Sequence, residues 1–234
     1  MSTPENQKPL PRNAASWAAN VSHLEVGAEQ SDAGYNIHGR KVTGPQQGFG
    51  RLWQRTYTTN VSNSVKPQDL IADWKLHFGE YWPKGATFHT ALTGVTPGAV
   101  APIGISTGPG MTLATGIMVL YADDDSFTFM TPQGHMFAGL ITFEACEVDY
   151  GTQVDIKILI RTSDPLYELG WPVMRRKEDQ FWSATLENLA VHYGVAAPEV
   201  VESTVCVDKR RLWSNWANVR HNAGIRSAIH VMTT

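Results

Sequence analysis

Between Arg51 and Tyr193 the spacing of hydrophobic residues changes period several times, and each change predicts an element. Residues 51–61 (RLWQRTYTTNV) are rich in Thr, Tyr and Trp. β-Branched and aromatic side chains pack well on a pleated surface, so this run predicts a strand. Lys66-Pro67-Gln68-Asp69 predicts a helix start. Proline in the first turn lacks only an N–H that would have no partner, and the acid lies near the positive end of the helix dipole. Leu70, Trp74, Phe78 and Tyr81 follow at near-helical spacing, and Trp82-Pro83 ends the run. Then the period falls to two. Segments 86–93, 99–106, 112–122, 125–131, 136–148 and 152–162 are predicted strands, bounded by turn residues such as Gly108-Pro109-Gly110, Pro132 to Gly134 and Asp149 to Gly151. Connections this short are hairpins, which makes the sheet antiparallel. Within 152–162, Val154, Ile156, Ile158 and Ile160 share one face. Asp155, Lys157 and Arg161 share the other, which predicts one dry and one wet face.

At Ser163-Asp164-Pro165 the helical period returns. Ser163 or Asp164 can cap a helix with Pro165 in its first turn, and Gly170-Trp171-Pro172 is expected to kink or interrupt it. Beyond the break, Trp182, Leu186, Leu189, Ala190 and Tyr193 form an apolar stripe, and Gly194 is a natural stop. A long helix after a run of antiparallel strands has one obvious place, across the open face of the sheet. The predicted class is α+β, a curved antiparallel sheet of about seven strands wrapped around a long C-terminal helix. Two segments flank this unit of 51–194. Residues 1–50 show little periodicity and are read as an N-terminal extension of uncertain order, in which a short amphipathic stretch, Trp17, Val21 and Leu24, offers a helix that packs on the body. In 195–234, Asp208 is read as the cap of a helix carrying Leu212, Trp213, Trp216 and Val219, with Lys209, Arg210, Arg211 and Arg220 on its polar side. That helix is expected to dock on the body or on a second copy, with a membrane-surface role as the alternative.

Composition narrows the field. The 234 residues are 42% hydrophobic and 18% charged, enough to build one globular core without staples. A formal charge of −3 gives no reason to expect nucleic acid as a partner. Cys146 and Cys206 are too few for a disulfide framework and have no metal-binding spacing around them. Met1 to Arg12 has no apolar run, so no signal peptide is read, and no stretch reaches the length of a bilayer span. A cytoplasmic location is the expectation.

One region carries a resemblance. The segment FTFMTPQGHMFAGLITFE, then IRTSDPLYELGWPVMRR and QFW, is similar to an uncharacterised family, a domain of unknown function, within the START-like (SRPBCC) superfamily. Gly134, His135, Gly139 and Phe143 match its late-strand pattern. Pro165, Leu166, Leu169, Gly170, Pro172, Arg175, Arg176 and Phe181 match the opening of its last helix. The resemblance covers roughly 51–194. It implies a helix-grip fold with a pocket for an apolar small molecule, and it transfers no catalytic residue, because that family's activity is not established.

Weighed residue by residue, the chemistry is sparse. His135 follows a turn and opens a strand, where an imidazole can face a cavity mouth, and it is the best acid–base candidate. His77 and His89 read as helix-face and strand histidines. His135, Glu144 and Glu147 lie too far apart along one strand to bind a metal together, and no metal or cofactor is expected. Ser106-Thr107-Gly108 is no nucleophile elbow, and the Gly104 to Gly110 loop lacks the lysine of a phosphate cradle, so it reads as a hairpin loop or a gate at the rim. Arg161, at a strand end beside the helix start, is suited to hold Asp164, Glu168 or a ligand carboxylate. In a helix-grip cavity Tyr167, Trp171 and Met174 would line the opening, with Trp74 and Tyr81 contributing from the first helix. The expected function is binding of a lipid, polyketide or isoprenoid-like molecule in a cavity between sheet and helix. The alternatives are a cofactor-independent cyclase, dehydratase or hydrolase, and an interaction protein that self-associates through the Trp-rich C-terminal segment.

Overall fold

The computed structural model describes residues 13–61, 65–89, 94–108 and 111–233. Residues 90–93 of one predicted strand, and Pro109-Gly110 of the loop read as a rim, lie outside the described residues. Among those described, nine strands form one antiparallel sheet. They are β1 (Val42–Thr43), β2 (Leu52–Val61), β3 (Ala86–Phe88), β4 (Val100–Gly108), β5 (Met111–Ala122), β6 (Ser126–Pro132), β7 (Phe137–Val148), β8 (Gly151–Thr162) and β9 (Val201–Asp208). Three α-helices accompany them, α1 (Pro67–Leu76), α2 (Pro165–His192) and α3 (Ala223–Thr233). The strand order is β3-β4-β5-β6-β7-β8-β2-β9, with β1 paired to β6. Seven strands come from 51–194, as the alternation predicts. The two additional strands, β1 and β9, come from the flanking segments.

The register shows why the sheet curls around a core. Phe143 lies opposite Ile156 on one side and Phe127 on the other, and Ile156 lies opposite Tyr57. All four are at most 1% exposed, so this row defines the inner face. Across it lies α2, whose Trp171, Trp182, Leu186, Leu189 and Ala190 are buried in the same core. Its start is set by Asp164, whose side chain accepts hydrogen bonds from the N–H groups of Leu166 (2.8 Å) and Tyr167 (3.1 Å). The expected break at Gly170-Trp171-Pro172 does not occur, and α2 is continuous across Pro172. Proline's fixed φ suits a helix, and Pro172 is exposed, so the backbone bond it forfeits lies on the solvent side while the buried flank holds the helix together.

Three further expectations change. The wet face of β8 is wet only at Lys157, since Asp155 and Arg161 are 3% and 1% exposed. Arg161 is covered by the C-terminal segment, where it binds Arg210 and Asp208, and Asp155 by Thr58, Gln153 and Lys157 of the sheet itself. No α-helix forms over Trp17 to Leu24. Instead Ala18 donates to the carbonyl of Leu120, and Leu24 and Ile37 bury against Val100 and Met118 in a second small core. At the other end, the chain after α2 returns as β9 along β2, then forms a 3₁₀ helix (Trp213–His221) and α3, where one helix from Asp208 was predicted.

Candidate functional site

Rings occupy the middle of the grip. Trp74, fully buried on α1, packs against Phe143 (centroids 5.2 Å), Phe127 (5.8 Å) and Phe78 (6.3 Å). Phe78 meets Phe129 and Phe143 at 5.0 Å each, and Phe143 meets Trp182 of α2 at 5.7 Å. Centroids this close are in van der Waals contact. The rings tie sheet to helix directly.

Beside them lies a buried ionic group. Arg55 projects from the inner face of β2 and is 1% exposed. Its guanidinium pairs with Glu178 and Asp179 of α2, and Asp179 also accepts from the Tyr57 hydroxyl at 3.0 Å. The cation stands 5.3 Å from the Tyr57 ring and 6.0 Å from the Trp171 ring, and Trp171 stacks on Trp53 at 5.8 Å. Burial pushes the Glu178 carboxyl up to about 7, against the lowering pull of Arg55. Sequence reading missed this group because it took charge in a strand to mean solvent. The signal was present, since Arg55 shares its side of the strand with Trp53 and Tyr57.

Open space lies at the mouth of the grip. A recess of about 330 Å³ is lined by Thr112 and Leu113 of β5, Tyr167 of α2, and Gly224, Ser227, Ala228 and Val231 of α3. Its walls are mostly apolar side chains, and α3 forms one of them. The helix is held there by hydrogen bonds. Asn36 donates to the carbonyls of Ala114 (3.0 Å) and Ala223 (3.3 Å) and lies 3.1 Å from the Ser227 hydroxyl, which accepts from the Ala114 N–H (3.1 Å). Asn222 donates to Asp164 (2.8 Å), and the Gly224 N–H donates to the Tyr167 hydroxyl (3.0 Å). Burial pushes the Tyr167 hydroxyl up to about 12, so it stays protonated.

A second recess, of about 360 Å³, lies at the far end of α2 among His77, Glu80, Tyr81, Asn188, Val191 and His192. Asp73 beside it accepts from the hydroxyls of Tyr81 (2.6 Å) and Tyr193 (2.9 Å) and pairs with His77 Nδ1 (2.8 Å). Partial burial pushes the Asp73 carboxyl up, but these hydrogen bonds outweigh it and hold the group below the usual range. The cluster ties α1 to the end of α2 and presents a carboxylate-oriented imidazole beside open space.

The seven residues singled out from sequence do not gather at one site. Tyr167 lines the mouth recess and Tyr81 the far one. Trp74 belongs to the ring cluster, Trp171 flanks Arg55, and Met174 packs against the core. His135 is buried, its Nδ1 accepting from the Phe137 N–H (3.0 Å) and its carbonyl from the Ser163 hydroxyl (2.5 Å). Burial lowers its pKa to about 4. Arg161 donates to the carbonyls of Gly50 and Arg210 and to the Asp208 carboxylate (2.7 Å), not to Asp164 or Glu168. It clamps the end of β9. Among the described residues no group of three or more His, Cys, Asp or Glu is placed to hold a metal ion, and no helix is long and apolar enough to cross a membrane.

Strand order, antiparallel register and a single long helix across the inner face together define one architecture. It is a helix-grip fold. No family model and no curated protein matches the chain. Among solved structures, it is similar to the di-domain ARO/CYC StfQ from the steffimycin biosynthetic pathway, at 9% identity over 60% of this chain and 50% of that one, with a TM-score of 0.47. It is also similar to Ara h 8.0201, at 14% identity over 60% of this chain and 97% of that one, with a TM-score of 0.42. A third is the ginseng major latex-like protein 151 from Panax ginseng, at 14% identity over 62% and 100% of the two chains, with a TM-score of 0.41. The chain spans about half the length of the StfQ di-domain.

Proposed function

We propose that the chain binds an apolar small molecule, of lipid, polyketide or isoprenoid type, at the mouth of the grip. In this reading residues 51–194 form the grip, and the flanking segments seal its outer face and its opening. One observation carries it. The apolar recess of about 330 Å³ lies between the start of α2, the inner side of β5 and α3, with the Tyr167 hydroxyl at its wall to orient a polar end of the ligand. Deeper space between sheet and helix is taken by the rings of Trp74, Phe78, Phe127 and Phe143, so the ligand is placed further out than the sequence suggested.

Native mass spectrometry of the protein purified from its own cells tests this. The reading predicts an added mass that organic solvent extracts, and its loss in Ala228→Trp, where an indole fills much of the recess. Bare mass in every preparation, with no uptake of added N-phenyl-1-naphthylamine, contradicts it.

A second reading, a cofactor-independent hydrolase, is favoured by the Asp73–His77 pair beside the far recess. Here His77 takes the proton of an attacking water. It predicts turnover of p-nitrophenyl butyrate that falls about a hundredfold in His77→Gln with melting unchanged; a wild-type chain without turnover rules it out.

A further inference from the structure

The helix that walls the recess packs against its body by its less apolar side. Ala223 and Ser227 of α3 are buried, while Ile225, Ile229 and Met232, at i, i+4 and i+7, form an outward stripe, and Met232 is 78% exposed. On the other side of the recess, Leu166, Leu169 and Val173 of α2 make a second outward stripe at i, i+3 and i+7, with Leu169 83% exposed. The 3₁₀ helix leading into α3 adds Trp213 and Trp216, both exposed. An apolar surface of this extent on a soluble fold marks contact with something else.

Charge says what. Arg175, Arg176 and Lys177 follow the α2 stripe and are exposed. From Ser203 onward the chain carries Lys209, Arg210, Arg211, Arg220 and Arg226 against a single acid, Asp208, although the whole chain has a formal charge of −3. The acids at this end are already engaged. Asp164 caps α2 and holds Asn222, Glu168 pairs with Arg211, and Asp208 pairs with Arg161 and Arg210. A second copy meeting this face by two-fold symmetry would set cations against cations.

We propose that the mouth end of the molecule docks on the surface of an anionic lipid bilayer. The two apolar stripes and the tryptophans enter the interfacial layer, and the cations around them that are not paired with these acids, Arg175, Arg176, Lys177, Lys209 and Arg220, meet the head groups. The chain lies on the bilayer without crossing it. The proposal goes beyond ligand binding and does not need the recess to be filled.

Vesicle sedimentation of the full chain tests it. Wild type is expected to bind phosphatidylcholine vesicles containing about 30% phosphatidylserine at least about tenfold more tightly than pure phosphatidylcholine, and to be released as salt rises from about 0.1 to about 0.5 M. The pairs Leu169→Asp with Ile229→Asp, and Arg175→Glu with Arg176→Glu, change exposed positions and are expected to keep the melting temperature while each loses about tenfold or more in binding. Absence of wild-type binding to the anionic vesicles, or variants that bind as wild type does, overturns the proposal. So does a vesicle-free dimer in light scattering that the Leu169→Asp, Ile229→Asp pair dissolves, since the face then belongs to a second copy.

Discussion

Two side chains show at the residue scale how burial redirects chemistry. His135 spends its Nδ1 on the Phe137 N–H within a turn, and burial lowers its pKa from 6.5 to about 4. A base whose folded pKa is depressed adds stability above its unfolded pKa and loses it as pH falls towards the folded one. Acidification from pH 6.5 to 4 is therefore expected to remove about 3 kcal/mol through this group. In His135→Asn an amide oxygen keeps the acceptor without the titration, so the variant is expected to show a flatter dependence of thermal stability on pH across that window. An unchanged slope rejects the assignment. Arg55 is the second case. Its removal leaves the buried Glu178 and the half-buried Asp179 without their cation, so Arg55→Met is expected to cost about 3–5 kcal/mol in urea unfolding. Adding Glu178→Met and Asp179→Asn is expected to recover most of that loss, whereas additive losses would mean that the ion group is not a coupled unit.

The elements were legible where a regular period had only one use. Alternation in 152–162 and the cap at Asp164 predicted β8 and α2 because each pattern acts locally. What sequence reading missed depends on distant partners. Alternating Val201, Ser203, Val205 and Val207 read as part of an extension, yet an open edge of β2 recruits them as β9. Trp17 and Val21 have helical spacing, but backbone pairing with the end of β5 captures the chain at Trp17 and Ala18 in extended form. Likewise the seven site candidates were chosen by residue type, while the mouth recess depends on α3 returning over 100 positions later to cover Leu113. Asn36 holds that return together, serving Ala114, Ala223 and Ser227 at once. Asn36→Ala is expected to cost about 1–3 kcal/mol and to speed hydrogen exchange selectively in residues 223–233. Uniform exchange changes, or none, would show that α3 is held by other means.

For the whole molecule, the grip is a scaffold filled through its middle, with a recess at either end of α2. Aromatic rings join sheet and helix through the middle, the N-terminal segment seals the outer face, and the C-terminal segment adds an edge strand and then a helix across the mouth. The outward stripes of α2 and α3 and the recess beside them share the mouth end, so the proposed ligand seat and the proposed docking surface fall in one place. The most direct measurement is a fluorescence titration of the neutral apolar probe N-phenyl-1-naphthylamine into wild type, Ala228→Trp and Leu169→Asp. The account predicts that Ala228→Trp weakens binding at least about tenfold while Leu169→Asp, outside the recess, binds as wild type does. Equal binding by wild type and Ala228→Trp would contradict a ligand seat between α2, β5 and α3.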